Sequence, residues 1–418
     1  MPRAGDDRHY YKQLRLFSSG ITCLMALRYS IVIAFFPCLI LVAQDTSQGA
    51  DKVQAALQVI DQVGPQGRGS AAARQAADQL LQEGIEILPQ LFGHMDTENL
   101  VAANWCRYVY QQIVTRELAK PQPQIPADFL RSYILQSKHQ GRARRLAWDL
   151  LDHVDPQFRQ QQLPRLLDDR EFRSEAVQRV LQQADQSQQA GEAKAAISHY
   201  RLAFQHARDN SQIIKAADQL GRLNVKVDII KQMGFLHRWY LLGPFDAPEF
   251  SGFEQAFPPE SKVDLSATYA GQDGTIGWKP YQATDRLGQT NLVQVIGPVK
   301  EAVGYAYSEV HSPQSQKAEL RCGADDNMTV WINGKRVFSR GQWLNGTRLD
   351  RFSAPCDLQQ GTNRILIKIC QGPQHKNPAV PNNWSFQIRL CDSTGLNVGL
   401  KPLKPTAAEI SSAAQPAN

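Results

Sequence analysis

The sequence predicts a multidomain α + β protein: an N-terminal helical half built as a short α-solenoid, then a C-terminal antiparallel β-sandwich of jelly-roll type. Three observations carry this. From Ala71 to about Phe235 the apolar residues recur every three or four positions, the period of a helix with one buried face. Near residue 236 the period drops to two, the period of a half-buried strand. Ahead of both lies an uncharged apolar run, Ile31–Ala43. The 418 residues are 42% hydrophobic and 21% charged, which suits two or three globular domains with an ample core. This composition excludes a multi-spanning membrane protein, a disulfide-dense mini-domain and a fully disordered chain.

Residues 1–43 read as an address. The run IVIAFFPCLILVA is too short alone for a spanning helix, which needs ~20 apolar residues, but it fits the core of a signal peptide. Leu41-Val-Ala43 resembles a cleavage site that would leave Gln44 as the first mature residue. Extending the run back to Ile21 would make a membrane anchor, but at the cost of carrying Arg28 into hydrocarbon, so the cleaved signal is favoured. A start at Met25 would place MALRYS directly before the apolar core, a more compact signal. Either way the body is expected to be exported to the periplasm, cell envelope or medium, meeting a membrane only through this segment. Arg3, Arg8, Lys12, Arg15 and Arg28 against Asp6 and Asp7 hold +3 of the formal charge of +6. The rest is nearly balanced, so a body built to track nucleic-acid phosphates is excluded.

Residues 44–70 are polar and rich in Gly and Gln around a single helical pattern, Val53, Ala56, Leu57 and Ile60, and are expected to be a linker. Within 71–235, one helix face gathers Ala143, Leu146, Ala147, Leu150, Leu151 and Val154, with Pro156 beyond its end. Another gathers Phe172, Ala176, Val177, Val180, Leu181 and Ala184. Frequent Gly and Pro stops cut the region into helices of about 10–20 residues, which short loops fold into antiparallel pairs. The segment from Ala72 to Val114, with Pro89 in its second helix and an acidic turn at Asp96, resembles a HEAT unit. GEAKAAISHYRLAFQHA resembles a tetratricopeptide helix through Ala196, Tyr200, Ala203, Phe204 and Ala207. Each such pair needs a neighbour to bury its apolar face, which is the logic of a solenoid.

Residues 236–400 form the second body. Trp239–Phe245 is an apolar strand closed by Gly243-Pro244; Ala318, Leu320 and Cys322 alternate, as do Met328, Val330 and Ile332. Asn333-Gly334 is a strong hairpin signal. Ile365, Ile367 and Ile369 share one face, as do Trp384, Phe386, Ile388 and Leu390. Such strands over this length imply two packed antiparallel sheets. Residues 401–418, rich in Pro, Ala and Ser, are expected to be a disordered tail. The body carries five cysteines, an odd number, without a CxxC or zinc spacing. If strands 363–370 and 384–391 formed a hairpin, Cys370 and Cys391 would stand at opposite levels, beyond disulfide reach.

GADDNMTVWINGKRV (323–337), the turn at Gly361-Thr-Asn363, LIKIC and FQIRLCDSTG resemble the β-sandwich modules of the PA14 and galactose-binding-like group of secreted bacterial proteins. WYLLGPFD (239–246) resembles the opening strand of such a module. The resemblance covers about 239–396. It implies that Asp325 and Asp326 match the adjacent aspartates that hold calcium in the sugar-binding members. Asn327 would add an oxygen, and Asn382 or Asn383 are further donors. Adjacent carboxylates suit a hard cation, but Asp-Asp-Asn is also ordinary turn chemistry before a strand, and both readings stay open. Trp343 and Asn345, in the Gly-rich loop SRGQWLNGTRLD, form the second candidate binding element. Trp343 either stacks on a sugar face or folds back to plug the end of the sandwich. Trp384 reads as packing, whereas Trp278 and Trp331 are undecided.

No HExxH, GxSxG, P-loop or GxGxxG is present. Asp168, Asp169 and Glu171 read as an acidic turn that caps a helix, and Arg142, Arg144 and Arg145 as a small basic cluster on a helix face. The expectation is therefore a non-enzymatic, exported envelope protein whose sandwich recognises a glycan or an envelope protein. A purely architectural protein that binds no sugar is the alternative, and a carbohydrate-active enzyme trails both.

Overall fold

The helical period and the strand period both become structure where the sequence places them. The computed structural model describes residues 38–343, 346–377 and 382–413. Most of the leader, residues 1–37, and Asn345 lie outside the described residues. The chain divides into two compact units, one ending at Pro123 and the other running from Gln124 to Asn418.

The first unit is helical: α1 (Cys38–Asp61), α2 (Ser70–Leu80), α3 (Leu88–Met95) and α4 (Leu100–Leu118). Residues 44–70, expected to be a linker, mostly belong to α1. The stripe Val53, Ala56, Leu57 and Ile60 is buried and suffices to dock the helix on its neighbours. Asn99 ties the unit together: its Oδ1 accepts from Val101 N and Ala102 N to cap α4. Its Nδ2 donates to the carbonyls of Asp61 and Val63, at 3.2 and 2.7 Å. Among the described residues no helix is long and apolar enough to cross a membrane.

The second unit begins with α5 (Ala127–Leu135), α6 (Gly141–Leu151), α7 (Pro156–Gln162), α8 (Arg173–Gln189), α9 (Ala193–His206), α10 (Asn210–Arg222) and α11 (Ile229–Met233). Two of the three residues of the basic cluster are spent internally, while Arg142 is exposed. Arg144 is buried and forks onto Asp169 at 3.1 and 2.7 Å, while Arg145 pairs with Glu171 and Glu175. Asp169 also accepts from Glu171 N and Phe172 N, the capping role that the acidic turn suggested.

The strands follow: β1 (Arg238–Asp246), β2 (Thr268–Gly271), β3 (Gly274–Gly277), β4 (Lys279–Gln282), β5 (Thr290–Asn291), β6 (Ala302–Ser312), β7 (Gln316–Ala324), β8 (Met328–Ile332), β9 (Lys335–Arg340), β10 (Phe352–Leu358), β11 (Gly361–Gln371), β12 (Ser385–Cys391) and β13 (Lys401–Lys404). One sheet runs β4-β1-β6-β11-β8-β9, with β13 also paired to β6; the other runs β10-β7-β12-β5; β2 and β3 make a small hairpin. All pairings are antiparallel. Between the two large sheets lies a core built on Trp239, Trp384, Phe386, Val330, Ile367 and Ile388, all fully buried. Trp384 thus packs, as its alternation indicated. Asn333 and Gly334 take φ of 53° and 79°, the left-handed pair that a two-residue hairpin turn between β8 and β9 requires.

Three local expectations change. β1 does not close at Gly243-Pro244; it continues to Asp246 across a register shift between Leu242 and Phe245, so the proline sits at an irregularity instead of a strand end. β11 and β12 do not form a hairpin. They lie in different sheets, because β12 pairs with β7 and β5 while β11 pairs with β6 and β8. The five body cysteines are all buried free thiols. Residues 401–413, expected to be disordered, supply β13 and a helix α13 (Ala407–Ala413), which follows α12 (Pro258–Ser261) in chain order. Glu409 holds α13 to the sheet by accepting from the Tyr240 hydroxyl at 2.6 Å.

The change of period at 236 falls inside the second unit. Leu236 N donates to Ile388 O, and Leu390 N to Gly234 O, so the chain leaving α11 pairs with β12. Beneath this seam Arg389 of β12 is fully buried. Its Nε donates to Asp350 Oδ1 at 2.8 Å, Nη1 to the carbonyls of Met233 and Gly395 at 3.1 and 3.0 Å, and Nη2 to Asn210 Oδ1 and to Asp350. Asn210, at the start of α10, donates to Asp350 in turn. One guanidinium therefore joins helices and sandwich with its donors used in good geometry.

Candidate functional site

Asp325, Asp326 and Asn327 form the turn between β7 and β8, and all three are buried, at 5%, 0% and 2% exposure. Their groups are committed to the chain. Gly372 N donates to Asp326 Oδ2 at 2.8 Å and also to Gln371 Oε1 at 3.1 Å. Asp325 N donates to Ser385 O, its carboxylate accepts from the backbone of Gly346, and Asn327 Oδ1 accepts from Gln342 N. Gln371 carries the chain onward by donating to Asn382 Oδ1 and Asn383 O at 2.7 and 3.1 Å. Burial and the neighbouring Asp326 charge push the Asp325 carboxyl up to about 6, against the pull of Gly346 and Lys300. Burial lowers the Lys300 ammonium, while the Asp326 and Asp325 charges oppose that shift.

Trp343 lies at this same end. A side chain at Gly372 would place its Cβ 3.0 Å from Trp343 Cε3 and 3.3 Å from Asp326 Oδ2, a tight approach that glycine meets without displacing either group. Trp343 is half-buried, and the Phe250 ring meets it edge to face at 4.6 Å. The structure thus brings Asp325, Asp326, Asn327, Trp343, Asn382 and Asn383 to one end of the sandwich, where they knit loops together. Calcium takes six to eight oxygens. The described donor set offers two carboxylates that already accept backbone hydrogens and face Lys300. Among the described residues no group of three or more His, Cys, Asp or Glu is placed to hold a metal ion.

A different place on the sandwich is open. The outer face of the larger sheet is mostly covered by residues 247–278, through Phe253, Phe257, Val263, Leu265, Tyr269, Ile276 and Trp278. The cover ends short of β8. There a cleft of about 330 Å³ is lined by Glu260, Lys262, Tyr307, Glu309, Trp331 and Arg364, among others. Strand register explains the grouping. Trp331 faces Leu366, Leu366 faces Tyr307, and Tyr307 faces Tyr240, one cross-strand row over four strands. Arg364 faces Glu309 two residues along. Arg336 of β9 stands opposite Trp331, on the outward side.

The cleft's two acids are tied down. Glu260 accepts from the buried Lys368 ammonium at 2.9 Å and from the Tyr305 hydroxyl. Glu309 accepts from the Tyr307 hydroxyl at 2.6 Å. Burial and these carboxylates raise both tyrosine hydroxyls well above the ordinary phenol range, so they stay protonated donors. Arg364 is mostly exposed, with Nε 3.7 Å from Glu309, an ion pair longer than a hydrogen bond. Trp331 is half-buried, so part of its ring is open to the cleft. Sequence reasoning left Trp331 undecided and did not single out Arg364, Lys262 or Tyr307. The signal was present only as outward positions of three strands whose pairing the sequence does not state.

No family model matches the chain, and no curated protein matches it. Among solved structures, a glycosyl hydrolase family 2 member from Bacteroides cellulosilyticus DSM 14838 is 14% identical over 38% of this chain and 20% of its own, with a TM-score of 0.24. A β-glucuronidase from an uncultured Clostridium sp. is 10% identical over 38% and 29%, TM-score 0.24. An anti-sigma factor domain-containing protein from Clostridium clariflavum is 14% identical over 41% and 48%, TM-score 0.21. The chain spans less than half the length of each of these, and likenesses at such scores carry no weight for this protein's function.

Proposed function

We propose that the protein is a non-enzymatic binding protein of the exported envelope, and that its sandwich takes a saccharide in the outer-face cleft beside Trp331. The observation that carries this reading is the cleft itself: a partly open indole next to Arg364, Tyr307 and Glu309 on the sheet, with a volume of about 330 Å³, within the range of small-ligand sites. An indole face packs on the apolar face of a sugar, and charged side chains at its edge hydrogen-bond hydroxyls. A binding role is favoured over catalysis because both acids in the cleft serve internal donors, whereas glycoside hydrolysis needs one acid free to give a proton and a second free to attack or activate water. Export rests on the Ile31–Ala43 run.

The test is a saccharide array followed by calorimetry on the full chain and on Trp331→Ala. Retention of at least one saccharide, weakened tenfold or more by Trp331→Ala with no turnover of the bound sugar, is the expected result. Binding that survives Trp331→Ala unchanged, or release of cleaved sugar, overturns the reading.

A further inference from the structure

We infer that the outer-face cleft selects an acidic saccharide, one bearing a carboxylate, through Arg364 and Lys262. This rests on the saccharide reading above and adds the ligand's charge.

The charges already used within the cleft decide what a ligand must supply. Four ionic side chains line it: Glu260, Lys262, Glu309 and Arg364. Glu260 is neutralised from beneath by Lys368, which is 2% exposed and also donates to the carbonyls of Phe253 and Gln255. Glu309 is 16% exposed at its side chain and receives the Tyr307 hydroxyl. Both carboxylates are therefore supplied by the protein. The cations are supplied only in part. The Arg364 side chain is 64% exposed; it reaches the Tyr307 hydroxyl, but its contact with Glu309 is too long to hold the rest of the guanidinium fork. Lys262 is exposed, with the charge of Asp264 near it. Arg336, exposed and paired in register with Trp331, adds a third positive group on the neighbouring strand.

The unused groups that face a ligand are thus donors and positive, set beside an aromatic ring. A neutral sugar would satisfy the ring and engage the guanidinium only through hydroxyls, without an opposite charge. A sugar acid would satisfy both: its ring lies on Trp331, and its carboxylate meets the planar Arg364 fork, the geometry for which guanidinium is best suited. Lys262 adds charge without a directional demand.

The experiment compares three probes on the full chain by calorimetry at low and high salt: a hexuronic acid tetramer, the same tetramer with its carboxyls reduced to alcohols, and a sulfated neutral hexose tetramer. The hexuronate should bind at least tenfold more tightly than its reduced form, with the advantage shrinking at high salt. Arg364→Gln and Lys262→Gln should each remove most of that advantage, weakening the hexuronate far more than the reduced tetramer. If the sulfated probe matches the hexuronate, the carboxylate assignment is overturned in favour of charge alone. If reduced and acidic tetramers bind equally, the inference falls and saccharide binding stands. If none of the three binds, both fall together.

Discussion

Asp325 and Asp326 sit sealed at one end of the sandwich, each carboxylate already accepting a backbone hydrogen, while Arg364 and Lys262 stand open on the outer face of the same sandwich. Read in one dimension, the first pair looks the more functional, because two adjacent acids before a strand invite a cation. In three dimensions the order reverses. Buried charge is expensive unless satisfied, so the fold surrounds it with donors and thereby spends it on structure. Exposed charge carries little folding cost and keeps its hydrogen-bonding capacity for a ligand. Arg389 and Asp350 belong with the sealed group, and they place the difference on a scale of stability.

The largest effect is expected there. Asp350→Ala would leave the fully buried Arg389 without its carboxylate and strip Asn210 of a partner, at a cost of about 3–5 kcal/mol in chemical denaturation. The exposed group supplies the contrast: Lys262→Ala should change stability by less than about 0.5 kcal/mol. A loss under about 1 kcal/mol for Asp350→Ala would erase the distinction. The pair also predicts a pH dependence. Burial alone would raise the Asp350 carboxyl, but Arg389, Asn210 and Arg321 outweigh it and hold the group below the usual range. Its stabilisation is therefore complete above the unfolded carboxylate pKa of about 4 and drains away as pH falls through the lower folded value. Asp350→Asn should flatten that acid limb.

Next comes Asp326→Ala, expected to cost about 2–3 kcal/mol, because it removes a charge-assisted acceptor from the buried Gly372 N–H. The informative readout is paired: thermal or urea denaturation should register the loss, while saccharide binding at the cleft stays within twofold of the unsubstituted chain. Binding lost in proportion to Asp326 would move the site to the loop end.

How much of this was legible in the sequence depends on the range over which each signal acts. Local periodicity revealed the helices, the strands and the Asn333-Gly334 hairpin, because those depend on neighbours a few residues apart. The assignment of β11 and β12 to different sheets depends on partners far along the chain, and alternation alone cannot state it. The same blindness hid the cleft. Trp331, Leu366 and Tyr307 meet because β11 lies between β8 and β6, a fact of register, and each looks unremarkable in its own segment. The Asp-Asp-Asn turn was visible for the opposite reason, since it is a local motif. The motif says nothing of whether the chain itself will supply the donors, as Gly372, 45 residues on from Asn327, turns out to do for Asp326. The seam at Arg389 was equally invisible: a lone arginine inside an apolar strand pattern gives no hint that Asp350, Asn210 and Met233 converge on it.

The smallest effect is the most discriminating, because its sign is opposite to the others. Asp325 is sealed beside Asp326, and burial and that neighbouring charge lift its carboxyl to about 6. Between about pH 4 and pH 6 the folded protein keeps a proton that the unfolded chain has released, so stability falls as pH rises through this window. Above it the fold carries the full burden of the ionised pair, an upper bound of about 3 kcal/mol from the shift in pKa. Asparagine keeps an oxygen for the Gly346 backbone and removes the charge. Asp325→Asn should therefore stabilise the protein by about 1–2 kcal/mol at pH 7.5 and by nothing measurable at pH 4, where the native carboxyl is already neutral. Lys300, which would lose one of its two attracting charges, trims the gain without changing its direction. If this carboxylate instead served a bound cation, asparagine would destabilise the protein at pH 7.5, and the gap would widen when calcium is added. Urea denaturation of both proteins at the two pH values, with and without calcium, separates a strained structural acid from a ligand held ready.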